Sequence, residues 1–287
     1  MTICKVNAIV NFTLDALRTH AFTPDIDADG RRLGWVALGD PLDTDGFELA
    51  SVDGRYSGFS FRLDTRKASG AVIRFQLAEA VREEIASGKK VGSKRRKELK
   101  EAITAKLTAR AEFVPSVIDC IWDAEKGRLL VDSTSAKAVQ PVLELFKTTF
   151  GIDAAPIAPA GDMPRLFATI LRGEGYPCEG YTLHPMGSAS LTASEQAEEK
   201  SAVAVQNSMN AVAQALEEGM AIRKLHLVAT SDADSDRQIE FLLDAGLAVS
   251  GLKLPKAEKG AEEEATFVIN ADACSKVADI IETLTSS

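Results

Sequence analysis

Between Lys89 and Arg110 the chain carries nine basic residues (Lys89, Lys90, Lys94, Arg95, Arg96, Lys97, Lys100, Lys106 and Arg110) against only Glu98 and Glu101, a net +7. The whole chain of 287 residues has a net charge of −9, so the other 265 residues carry −16. Lys and Arg at this density neutralise phosphates and release counterions without needing base-specific geometry, so the chemistry on offer is binding to a polyanion. Arg66, Lys67, Arg74 and Arg82 lie just upstream and extend the basic patch. No aromatic residue is interleaved from Lys89 to Arg110. Unpaired bases are held by stacking, so this composition favours duplex or backbone binding over a dedicated single-strand reader. Phe113, the nearest aromatic, reads as a core residue where the chain returns to a sheet. The alternative reading of the same composition is a solvated helix face with no partner.

Other residues that could do chemistry fail on spacing. Asp25, Asp27, Asp29 and Gly30 match the first half of a calcium loop, but its twelfth position is Val36 where a bidentate Glu is required. Asp232, Asp234 and Asp236 have Arg237 at the glycine position and Leu243 at the glutamate position, so they read as a solvated turn. The segment Gly88 to Lys94 (GKKVGSK) departs from the phosphate-loop spacing and follows a helix instead of a strand. His20, His184 and His226 stand far from one another and from Cys, with no HExxH and no GxSxG. Cys4, Cys120, Cys178 and Cys274 are dispersed, which suggests reduced, buried thiols and neither a disulfide framework nor a zinc site. No catalytic residue, metal or cofactor is therefore expected. A two-metal nuclease stays conceivable with 42 carboxylates, because their convergence in space is invisible in a sequence.

These residues must be held by a framework, and 45% hydrophobic residues suffice for a real core, mainly aliphatic given 6% aromatics. The N-terminus lacks the features of a signal peptide, and no apolar run approaches a bilayer span, so a soluble, intracellular, cytoplasmic protein with no membrane partner is expected. The first 70 residues read as strands with one short helix. Val6, Ala8 and Val10 alternate with polar residues, as do Phe59, Phe61 and Leu63; Thr13 caps a helix over residues 14–20, and Asp53-Gly54 makes a turn. From Ala71 the period becomes four: Leu77, Val81 and Ile85, then Leu99, Ile103 and Leu107 after a Gly-containing loop, which predicts a helical hairpin projecting from the body. Strands return at residues 117–122 and 128–132. An amphipathic helix follows over Ala136 to Phe150, its regular part starting near Gln140 because of Pro141. The proline-containing segment 151–164 reads as a linker. Beyond it come a helix after Pro164, strands at 202–206, 225–229 and 239–243, a helix from Ser208 to Glu218 ended by Gly219, and a last helix carrying Val277, Ile280, Ile281 and Leu284. Residues 256–264 read as a mobile charged connection. The fold class is α+β: an antiparallel-sheet central domain (1–70 and 113–155), a basic helical hairpin (71–112) and a second α+β domain (156–287).

Several landmarks resemble the RdgC family of bacterial recombination-associated proteins. They are Ala21-Phe22-Thr23-Pro24, Gly34-Trp35-Val36, the basic hairpin, Trp122-Asp123 through Gly127 to Val131-Asp132, and Ser135-Ala136-Lys137. Further on, Lys224-Leu225, Ile239-Glu240-Phe241 and Leu252-Lys253-Leu254 keep the same order. The resemblance implies a curved subunit forming a ring-shaped homodimer whose positively lined hole admits duplex DNA without sequence preference. It also implies single-strand binding, no catalysis, a nucleoid location, and restraint of a RecA-type recombinase by occupying the DNA. It places Gln206 among the DNA contacts, with Ala204 and Val205 where the family carries basic residues. A family aromatic near the hairpin exit falls at Glu112, one place before Phe113.

The sequence thus supports a non-specific DNA-binding homodimer whose contacts include Lys89, Lys90, Lys94, Arg95, Arg96, Lys97, Lys100, Arg74, Arg82 and Gln206. Two alternatives come from other classes: a metal-dependent DNA nuclease or nuclease subunit, and an adaptor whose charged hairpin docks an acidic protein.

Overall fold

The structure is a computed structural model that describes residues 1–8, 11–51, 53–173, 175–193, 202–206, 209–255 and 262–286. The first half runs β1 (Thr2–Val6), α1 (Leu14–Thr19), β2 (Arg32–Ala37), β3 (Tyr56–Arg66), α2 (Gly70–Ala86), α3 (Ser93–Arg110), β4 (Phe113–Asp123), β5 (Arg128–Val131), α4 (Ala136–Phe150) and β6 (Ala154–Pro156). Its strands form one antiparallel sheet in the order β2-β3-β4-β5-β1-β6.

β1 begins four residues before the alternation at Val6, Ala8 and Val10 would place it, and Val10 lies outside the described residues. The reason is that β1 is an inner strand covered on both faces. Ile3 packs into one core and Cys4 into another, so no polar and apolar alternation marks it. The core on the Cys4 side is more aromatic than the composition suggests. Phe12 stacks between Trp122 and Phe150, with ring centroids 5.9 and 5.0 Å away, and Trp35 meets Phe59 edge-on at 5.1 Å.

Two of the sequence landmarks turn out to be one contact. Phe22 N–H donates to the Trp35 carbonyl at 2.8 Å and Trp35 N–H to the His20 carbonyl at 3.0 Å. A Cβ on Gly34 would lie 2.3 Å from the Phe22 backbone, so only glycine admits this approach.

α4 starts at Ala136, ahead of the expected Gln140, with Pro141 inside it. Val139, Val142, Leu143, Leu145 and Phe146 are buried along one face, and that burial outweighs the backbone hydrogen bond the proline cannot make. The segment 151–164 is more than a linker. It carries β6, which pairs with β1, and Asp162, whose side chain accepts from Arg165 N–H at 3.0 Å to cap the next helix.

The second half comprises α5 (Met163–Arg172), β7 (Tyr176–Cys178), β8 (Tyr181–Ala193), β9 (Ala202–Gln206), α6 (Met209–Glu217), β10 (Met220–Ser231), β11 (Gln238–Asp244), β12 (Val249–Ser250) and α7 (Glu263–Ser286). A second antiparallel sheet runs β12-β11-β10-β8-β7, with β9 also on β8. β8 escaped the sequence reading because Pro185 and Gly187 interrupt the apolar row of Leu183, Ala189 and Leu191. Of the charged connection, residues 256–261 lie outside the described residues, and Glu263 and Glu264 belong to α7.

α7 joins the halves. Val277, Ile280, Ile281 and Leu284 share a core with the second sheet and with Met1, Ile3 and Leu130 of the first, while Phe267 and Ala271 pack on Tyr56. At their contact Arg128 is fully buried. It donates to the Ser275 carbonyl at 2.7 Å and Ser275 Oγ at 2.6 Å, and pairs with Asp279 at 2.9 Å and with buried Asp123 at 3.4 Å. Ser275 Oγ in turn donates to Asp123 at 2.6 Å.

Candidate nucleic-acid interface

α2 and α3 pack on each other, and among their residues only Leu77 is fully buried. Leu77 and Val81 lie on the seam as expected, with Leu99, Ile103 and Leu107 half-buried opposite, but Ile85 is 58% exposed. At 100° per residue a strict period of four drifts off the stripe, and the seam position near the end of α2 falls to Glu84. Glu84 is used there. Arg95 of α3 reaches across to it at 2.6 Å and also pairs with Glu98 at 3.1 Å. The hydrogen bond from Arg95 holds the Glu84 carboxyl below its usual range and raises the guanidinium further.

This divides the predicted contacts. Arg95 is committed to holding the hairpin together, and Lys97 lies 3.9 Å from Glu101 one turn on. Lys89, Lys90, Lys94, Arg96 and Lys100 are exposed, with no carboxylate in ion-pair range among the described residues. Arg74 and Arg82 on α2 are likewise exposed; Arg74 donates to the Gly70 carbonyl at 3.3 Å. The loop between the helices ends in Gly92, the N-cap of α3, so GKKVGSK is a helix–helix connection. Gln206 is carried by the other sheet, on β9 opposite Ser188, and its side chain lies outside the described residues. The hairpin cations therefore lie on α2, α3 and the loop between them, while Gln206 lies on the second sheet.

Phe113 corrects the sequence reading: among the described residues it belongs to none of the hydrophobic cores. It is half-buried at the hairpin root, with the guanidinium carbons of Arg32 and Arg66 at 3.9 and 4.6 Å from its ring centroid. Arg32 carried no signal in the sequence, since only strand pairing brings residue 32 beside residue 113.

The acidic clusters are occupied by their own chain. Asp27 accepts the backbone N–H groups of Asp29 and Arg31 and pairs with the Arg31 side chain at 2.9 Å, and Asp234 pairs with Arg237 at 3.2 Å. Among the described residues no three His, Cys, Asp or Glu converge as a metal site. His226 is less isolated than its sequence position suggests. On the second sheet its Nε2 lies 2.8 Å from Glu240 and its Nδ1 3.2 Å from Ser188 Oγ, and Lys253 pairs with Glu240 at 2.6 Å. The Lys253 hydrogen bond, helped by His226, holds the Glu240 carboxyl below its usual range. A cavity of about 670 Å³ between the first sheet, β12 and α7 is lined by Leu38, Ile121, Leu130 and Phe267, with Asp119, Asp132 and Glu263 and, among the described residues, no Lys or Arg. Its described lining offers nothing to a polyanion.

A two-sheet α+β protein whose helical hairpin exposes Lys89, Lys90, Lys94, Arg96 and Lys100 without an ion-pair partner among the described residues has the features of a polyanion-binding protein. Comparison with known proteins is specific about the family: a family model described as "Putative exonuclease, RdgC" matches residues 7–283, and the chain belongs to the RdgC family. Proteins called "Recombination-associated protein RdgC" are similar to it. That of Psychromonas ingrahamii is 28% identical over 144 residues, 50% of this chain and 46% of the relative. That of Proteus mirabilis is 29% identical over 161 residues, 54% and 51% of the two chains. That of Burkholderia ambifaria is 30% identical over 143 residues, 50% and 44%. The chain thus spans about half the length of the curated relatives it matches. Among the described residues no helix is long and apolar enough to cross a membrane.

Proposed function

We propose that this chain is a non-catalytic, sequence-indifferent DNA-binding protein that acts in recombination as a homodimer encircling duplex DNA. The observation that carries the reading is the set of exposed cations with no carboxylate in ion-pair range among the described residues, Lys89, Lys90, Lys94, Arg96 and Lys100, on α3 and the loop before it. Such cations exchange their counterions for phosphates, and the acidic remainder of the chain opposes sticking elsewhere. The name of the relatives, recombination-associated, supports the cellular role. Occupying duplex or single-stranded DNA would limit access of a RecA-type recombinase without any contact to it, and would keep the protein at the nucleoid. Exposed Val72, Phe75 and Ile85 on α2 supply apolar surface for a second copy to cover.

Fluorescence anisotropy with a labelled duplex of about 30 base pairs across a salt series, with light scattering on the same sample, tests this. Five neutralised phosphates give a slope of log K against log salt of about −4 to −5. A molar mass of two chains and no preference between duplex sequences are expected. Magnesium-dependent degradation of linear DNA by the pure protein would favour the nuclease reading suggested by the family's description. No DNA retention at low salt would favour the adaptor.

A further inference from the structure

Arg32 and Arg66 are a second, separate set of cations, and they sit where the hairpin leaves the first sheet. Arg66 ends β3 directly opposite Phe113, the first residue of β4, and Arg32 opens β2 opposite Asp64. That pairing puts Arg32, Asp64, Arg66 and Phe113 on one face of the sheet. Asp64 would be the natural partner of Arg32, but both of its oxygens are taken by Arg62, at 2.9 and 2.8 Å. Among the described residues no carboxylate comes within ion-pair range of Arg32 or Arg66. The Nε of each is buried without a hydrogen-bond partner. Arg66 spends one donor on the Ala109 carbonyl at 2.9 Å, which fixes it against the last turn of α3.

Two guanidiniums held against one ring without a counter-charge in ion-pair range cost free energy. Contact with the Phe113 ring offsets part of that cost and orients both planar groups. What this arrangement lacks is an oxyanion. We propose that Arg32 and Arg66, held over Phe113, form a phosphate site at the hairpin root that takes one backbone phosphate of bound DNA. The inference rests on the DNA-binding reading. Continuity supports it: Lys106 and Arg110 carry the positive charge down α3 to this point, and the 18-residue helix spans about 27 Å. A duplex lying along the hairpin reaches the root within about eight base pairs.

The test uses Arg32→Gln, because the Arg32 side chain, unlike that of Arg66, makes no hydrogen bond to the backbone among the described residues, with Arg32→Lys and the hairpin variant K94Q/R96Q/K100Q beside it, all on the full chain. Loss of one phosphate contact flattens the salt slope by about 0.9 and weakens binding about eightfold at about 100 mM salt. The lysine variant restores most of the slope, and thermal unfolding stays that of wild type in both. The hairpin variant flattens the slope by about 2.7. If Arg32→Gln folds normally and keeps the wild-type slope, or if inorganic phosphate competes equally with wild type and Arg32→Gln, the root site is overturned while the hairpin reading stands. If wild type itself does not bind the duplex at low salt, the DNA reading falls and the root site with it. If Arg32→Gln fails to fold, Arg32→Lys decides: a weakened, stacking-deficient site lowers affinity with the slope kept, and wild-type affinity overturns the proposal.

Discussion

Arg128→Met removes the charge at the centre of the network that clasps α7 to the first sheet while keeping most of the side-chain volume. Arg128 and Asp123 are both 0% exposed, so the substitution leaves a buried carboxylate without its nearest buried cation. Removing one partner of such a pair costs about 3–5 kcal/mol. The lower part of that range is expected, because Asp123 keeps Ser275 Oγ at 2.6 Å, Lys126 N–H at 3.1 Å and Arg55 at 3.6 Å. Ser275 loses two hydrogen bonds at once, and Asp279 and Glu282 fall back on Lys126 at 3.5 Å and Lys5 at 2.8 Å. Urea unfolding followed by tryptophan fluorescence reads the result, since Trp35 and Trp122 are both buried in the first core. With a slope of about 3 kcal/mol per molar urea, the midpoint falls by about 1 M. Replacing Asp123 as well, in Asp123→Leu/Arg128→Met, recovers part of the loss because no unpaired buried charge remains. A midpoint within 0.2 M (roughly 0.6 kcal/mol) of wild type at unchanged slope would refute the claim that Arg128 holds the two halves together.

Two further outcomes follow from contacts already described. Arg96→Gln is expected to flatten the salt slope of DNA binding by about 0.9, whereas Arg95→Gln leaves the slope alone and loosens the hairpin, seen as faster proteolysis between α2 and α3; equal flattening by both would show that Arg95 is not committed to Glu84 and Glu98. Burial pushes the thiols up, Cys4 to about 12, Cys178 and Cys274 to about 11, and Cys120 well above the ordinary value. Native protein should therefore resist a disulfide reagent at pH 8, with all 4 thiols reacting only after denaturation. A raised folded value means the stabilising contribution is complete below pH 9 and is lost as pH rises from there toward 12, so the urea midpoint should decline over that alkaline window. Stoichiometric labelling of the folded protein at pH 8 would count against it.

Amphipathic periods and charge density are local properties, and they were enough to place the hairpin, the β4–β5 turn at Gly127, α4 and the last helix, and to single out the cations from Lys89 to Lys100. The family landmarks were legible too, though not the reason for them: Gly34 and Phe22 are one close backbone contact, and Glu240 and Lys253 are one ion pair. Strands with both faces covered, such as β1, and β8, whose apolar row is interrupted by Pro185 and Gly187, lack the sustained alternation that marks a strand, so they appear only when their partners do. The same holds for charge. Nine basic residues look alike in a row, but pairing depends on which carboxylate the fold delivers: Glu84 reaches Arg95 across the hairpin, while Arg62 takes Asp64 and leaves Arg32 without it. The sequence by itself determined the sign and place of the basic element and the family to which the chain belongs. Only the tertiary structure decided which cations are free, because neutralisation acts over a few ångströms in space, whatever the separation along the chain.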